Sequence, residues 1–251
     1  MAKHVIWIDD DEGEMKTIIR NIFPKLWDKG ISSEIYIMGS YAPSVHNYEH
    51  NEDSIKNVNR AVYDTFIDYL ISSNLINQED DIRGKLSLLG LDDINDNFLN
   101  EVHVASNKND LISPTGGSLN EIAQETANNI IHAISTDNNP GETVIMLDLV
   151  LLEHDYEKLQ KHYDSNEEVD HVLSMELYKE LLNLFSDSPN YPPVMLYSTF
   201  VIPNDVINNW IKGYSDIDEQ HSDIVIYNRK GIPANKDNEY ELVDKIVSFG
   251  G

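Results

Sequence analysis

The run 143–152, Thr-Val-Ile-Met-Leu-Asp-Leu-Val-Leu-Leu, is apolar at every position after its threonine except Asp148. So continuous a run of aliphatic residues suits a strand covered on both faces, the situation of a central strand in a parallel sheet. A carboxylate set among such neighbours is costly to bury without a partner. Asp148 is therefore expected at a site rather than in the core.

Four further segments share this character. Residues 5–8, Val-Ile-Trp-Ile, end abruptly in Asp9-Asp10-Asp11 and read as a short buried strand. Asp11 and Glu14 have the spacing of a capping box, and Met15, Ile18, Ile19, Ile22 and Phe23 repeat with helical period as far as Pro24. A second strand is expected over 31–38, a later one over 194–197 and a last one over 223–227. Helices over 175–185, 203–211 and 239–249 follow three of these strands. The rhythm is strand then helix, five times, which predicts an α/β fold with a five-stranded parallel sheet and helices on both faces.

Residues 40–140 interrupt the rhythm. One helix is legible over 54–75, with Val58, Val62, Phe66, Ile67, Leu70 and Ile71 on one face. Residues 80–108 yield no assignment. Ser118 and Glu121 form a second capping box that opens a helix through Ile122, Ala123, Thr126, Ile130, Ile131 and Ile134, stopped by Asn138-Asn139-Pro140-Gly141. The chain thus divides into one α/β domain over 1–39 and 141–251 and a partly helical insertion over 40–140.

Charge removes several functions from consideration. The 18 Lys and Arg stand against 44 Asp and Glu, a formal charge of −26, whereas binding to a phosphate backbone depends on cationic side chains releasing counterions. No nucleic acid partner is expected. The absence of cysteine points to a reducing compartment, the cytoplasm, and no apolar run approaches the ~20 residues of a membrane span.

In a parallel sheet the chemistry gathers at the carboxyl ends of the strands. There the sequence puts Asp9-Asp10, Asp148, Ser198-Thr199 and Arg229-Lys230. Crowded carboxylates repel one another and raise each other's pKa unless a cation neutralises them, and hard oxygen ligands suit Mg2+, which keeps several waters and shares its octahedron with a phosphoryl oxygen. Ser198 and Lys230 are suited to bind the remaining phosphoryl oxygens. Singly, each residue has an ordinary explanation: strand-end acids serve as turn or cap residues, and lone lysines lie at the surface. Their combination in this order is what points to phosphoryl chemistry on an aspartate. His46, His50 and His154 with Asp155 lie in polar loops without a completing ligand cluster, and Gly116-Gly117 lacks the Lys-Ser/Thr of a phosphate loop.

These residues resemble the receiver domain of two-component response regulators. The stretch from Val5 to Glu12 is similar to that family's first strand and acidic pair, with Asp10 in the place of the main metal ligand and Asp9 as its partner. Val144-Ile145-Met146-Leu147-Asp148-Leu149 is similar to the phosphoacceptor strand, which makes Asp148 the nucleophile and the Val150 backbone carbonyl a metal ligand. Pro193 to Ser198 resembles the fourth strand with its hydroxyl, Ser198. Ile224 to Lys230 resembles the fifth, with Lys230 as the phosphate-pairing lysine and Tyr227 as the aromatic switch.

The resemblance implies a flavodoxin-like sheet of order 2-1-3-4-5, with 118–135 as the second receiver helix. It further implies Mg2+ as cofactor, a histidine kinase or phosphotransfer protein as donor, and a downstream protein target yet to be identified. The expected role is a phosphoacceptor switch rather than a turnover enzyme, with output through the receiver surface or the insertion because the last helix ends the chain. The insertion departs from the family, as do Leu152 and Gly231 where the family has proline. Two alternatives stand beside this reading. A haloacid-dehalogenase-like phosphohydrolase would use Asp9 as nucleophile and Asp11 as general acid, and an unphosphorylated pseudo-receiver would act as a scaffold through 40–140.

Overall fold

The computed structural model describes residues 2–37, 40–42, 47–49, 52–74, 102–104, 121, 123–128, 130–131, 140–151, 172–185, 192, 194–197 and 236–248. In chain order the strands are β1 (His4–Asp9), β2 (Ser32–Ile37), β3 (Ser40–Ala42), β4 (Asn47–Glu49), β5 (Val102–Val104), β6 (Thr143–Asp148) and β7 (Val194–Tyr197). The helices are α1 (Glu12–Asn21), α2 (Phe23–Trp27), α3 (Glu52–Ser72), α4 (Leu173–Phe185) and α5 (Lys236–Ser248). A further helical stretch runs through the described residues of 121–131.

The main sheet has the order β5-β2-β1-β6-β7, and every pairing in it is parallel. The strands expected over 5–8, 31–38, 143–152 and 194–197 are therefore neighbours in the order 2-1-3-4. The expected last strand, 223–227, and the helix over 203–211 lie outside the described residues. One strand of this sheet is not legible in the sequence: Val102–Val104 pairs with Ile35, Tyr36 and Ile37 of β2. The insertion thus contributes a strand to the same sheet and places β2 in its interior. It also contributes the small antiparallel pair β3-β4.

Strand period and burial explain how the layers form. Val5 and Trp7 of β1, Val144 and Met146 of β6, and Met195 and Tyr197 of β7 join one buried cluster with α1 (Met15, Ile18, Ile19), α2 (Phe23, Leu26), α3 (Val58, Ala61, Val62) and α5 (Leu242, Val243, Ile246). The alternate residues Ile6, Ile8, Ile145, Leu147 and Leu196 are buried as well, so the sheet is covered on both faces. Helix α4 packs against β6 and β7 and buries Leu173, Leu177, Tyr178 and Leu181. Full burial of each such aliphatic side chain stabilises the fold by about 1.5–3 kcal/mol. Residues Ala123, Thr126, Ala127 and Ile130 of the 121–131 helix are also buried.

Two expectations about local structure are corrected. Pro24 does not end the helical path, because it falls in the first turn of the short helix α2, where its missing N–H has no acceptor to lose. The strand expected over 143–152 stops at Asp148. Leu149 N–H still pairs with the Tyr197 carbonyl at 2.9 Å, but Val150 N–H turns back to Asp148 Oδ2 at 3.2 Å, and Leu149 and Leu151 remain buried outside the ladder. Asp148 consequently terminates β6 at its carboxyl end. Among the described residues no helix is long and apolar enough to cross a membrane.

Candidate metal centre

Asp9 and Asp148 are the terminal residues of adjacent strands, and strand period carries them to the same face. In β1 the side chains of Val5 and Trp7 enter the cluster with α1, so Asp9 follows on that face; in β6 Val144 and Met146 do so, and Asp148 follows. The register extends the row, since Trp7 faces Met146 and Asp148 faces Tyr197. Asp10 stands just past β1, half-buried. One carboxylate oxygen from each of Asp9, Asp10 and Asp148 can be chosen so that all three lie within 4.8 Å of one another.

The turn into α1 sets the orientation of Asp9. Asp11 is the N-cap: its Oδ1 accepts from Gly13 N–H at 2.6 Å and from Glu14 N–H at 3.0 Å. This half of the expected capping box is made. The N–H of Asp11, which the box would have given to Glu14, goes to Asp9 Oδ1 at 2.7 Å. The other Asp9 oxygen, Oδ2, accepts the hydroxyl of Tyr197 at 2.5 Å. The segment after Asp148 is fixed in the same way, for Ser174 Oγ donates to the Leu149 carbonyl at 2.6 Å and ties it to the start of α4.

Burial makes this an electrostatically demanding place. Asp9 is 0% exposed and Asp148 5%. Burial pushes the Asp9 carboxyl well above the usual carboxylate range; the charge of Asp10 pushes the same way, and the Tyr197 hydroxyl partly opposes it. Asp148 is raised well above that range too, by burial first and then by the charges of Asp9, Asp10 and Glu14. The phenol of Tyr197 is raised by burial and by the charges of Asp9 and Asp148, so it remains a proton donor. Three acids that repel one another, two of them buried, and that offer only hard oxygen donors match what a small divalent cation requires.

Of the residues singled out in the sequence, the structure brings together Asp9, Asp10 and Asp148, with Val150 held next to Asp148 through its N–H. Ser198, Tyr227 and Lys230 lie outside the described residues, as do His46, His50, His154 and Asp155. Two participants were not identified from sequence. Glu14, read only as a capping residue, adds its negative charge to Asp9 and Asp148. Tyr197, read as an ordinary strand residue, is 2% exposed and bonded to Asp9. Its signal was available in principle: strand period from Met195 puts residue 197 on the face of the acids, and a buried phenol needs a hydrogen-bond partner. No protein-family model, curated protein or solved structure matches the chain, so its function has to be argued from this geometry.

Proposed function

We propose that this chain is a receiver-like phosphoacceptor switch, in which Asp148 takes a phosphoryl group in the presence of Mg2+. The observation that carries the reading is the meeting of Asp9, Asp10 and Asp148 at the carboxyl edge of β1 and β6, with Asp148 terminating its strand. In this reading the sheet is the flavodoxin-like one, completed by the strand expected over 223–227 on the far side of β7.

Asp10, Asp148 and the Val150 carbonyl would hold the ion, with Asp9 supporting them. Its chemistry is to neutralise the acids and to stabilise charge on the transferring phosphoryl oxygens. An Asp148 oxygen attacks the phosphorus of a phosphohistidine on a partner kinase or phosphotransfer protein. The bond to the donor nitrogen breaks, that nitrogen keeps the electron pair and takes a proton, and an acyl phosphate is left on Asp148. Ser198 and Lys230 would then engage the new oxygens, moving the loops after the last two strands and Tyr227 to alter a protein-binding face.

The phosphohydrolase alternative needs Asp11 as a general acid aimed at substrate, yet the Asp11 side chain is exposed and serves as the α1 N-cap. The test is incubation with Mg2+ and acetyl phosphate. The wild-type chain should gain the mass of one phosphoryl group, and Asp148→Asn should not. No gain in either would leave the scaffold reading, and steady phosphate release abolished by Asp9→Asn but not by Asp148→Asn would establish the hydrolase instead.

A further inference from the structure

Asp9 is gripped at both oxygens by groups of different origin. Oδ1 takes the Asp11 N–H from its own turn, whereas Oδ2 takes a hydroxyl from β7, a strand separated from β1 by the whole of β6. The phenol that reaches across has little freedom. Its backbone is in register with Asp148, its ring meets Trp7 edge-on with centroids 5.7 Å apart, and its hydroxyl also lies 3.4 Å from the Ile8 carbonyl. Trp7 is itself fully buried and packed on Phe23, with ring centroids 6.2 Å apart. A hydroxyl held this firmly is suited to orient a carboxylate, and groups that orient metal-site carboxylates commonly set affinity as strongly as some ligands do.

We infer that Tyr197 is a positioning residue of the metal centre, holding Asp9 in the one orientation that supports an ion bound by Asp10 and Asp148 and discriminating against larger cations. The inference rests on the metal-dependent reading above. Discrimination follows from coordination chemistry. Ca2+ takes more oxygens and gains from carboxylates free to rotate into bidentate contact, whereas Mg2+ requires a compact octahedron and tolerates a fixed monodentate neighbour. An Asp9 carboxylate tethered at both oxygens cannot rotate to meet the larger ion. Loss of the hydroxyl frees it.

The experiment is Mn2+ binding to the full chain followed by paramagnetic resonance, with Mg2+ and Ca2+ as competitors, for wild type, Asp148→Asn and Tyr197→Phe. Wild type should bind, Asp148→Asn should not, and Tyr197→Phe should bind Mg2+ about 10–100-fold more weakly. Its preference for Mg2+ over Ca2+ should fall too, a change that a role in packing alone would not produce. Equal affinity and equal preference in wild type and Tyr197→Phe would overturn the inference while leaving the metal reading intact. Equal behaviour of wild type and Asp148→Asn would overturn both. Should Tyr197→Phe fail to fold, 4-fluorophenylalanine at position 197 keeps a para substituent on the same ring without a donor; Mg2+ affinity and preference matching wild type would likewise overturn the inference, and the losses expected of Tyr197→Phe would support it.

Discussion

Asp9 and Asp148 end neighbouring parallel strands on the same face of the sheet, both buried, and the charge of Asp9 adds to the cost of placing one on Asp148. The pairing costs the fold stability whenever both acids carry their charge.

The first consequence is a stability change that depends on the ion. Asp148→Asn removes one buried charge while keeping its shape, so in EDTA at neutral pH the variant should melt several degrees above wild type, at about 2–4 °C per kcal/mol for a chain of this size. Excess Mg2+ should reverse the order, because only wild type gains from binding. Calorimetry with and without the ion checks this, and a variant less stable than wild type in EDTA would show that the pair is not mutually destabilising.

The pH dependence has a definite sign. Asp9 and Asp148 have folded-state pKa values raised above those of the unfolded chain, so the folded state binds more protons in the interval between the two. Stability of the metal-free chain should therefore fall as pH rises from the ordinary carboxylate pKa, about 4, up through the raised values. In Asp148→Asn, chemical denaturation at a series of pH values should give a shallower decline than in wild type. Equal slopes would mean that the burial of Asp148 carries no such penalty.

Asp11 separates the two phosphoryl-transfer readings. As the N-cap of α1 it should contribute about 1 kcal/mol, so Asp11→Ala should lower Tm by about 2–4 °C. Its N–H to Asp9 survives the change, and Mn2+ affinity should stay close to wild type. Loss of a phosphatase activity in Asp11→Ala would instead assign that carboxyl a chemical role.

Thr126 buries a hydroxyl that has no hydrogen-bond partner among the described residues. Thr126→Val keeps the shape, removes the unsatisfied group and changes helix propensity little, so it should stabilise the chain by about 1 kcal/mol. A drop in Tm would reveal a partner for this hydroxyl and remove the rationale.

Local pattern was enough to read much of this molecule. The apolar runs ending in Asp9 and Asp148, the helical period from Met15 and the cap at Asp11 are short-range signals, set by strand and helix periodicity and by the backbone groups a helix end leaves open. That the two acids share one edge also followed, since alternating strands and helices leave a parallel sheet few alternatives. Tertiary structure alone decided the rest. Val102–Val104 is too short to announce itself and becomes a strand only because β2 offers it a ladder. The hold of Tyr197 on Asp9 joins residues 188 positions apart, and no local spacing encodes a contact made across an intervening strand. Where β6 stops was likewise settled by competition, when the Asp148 side chain, and not a neighbouring strand, captured the next free N–H.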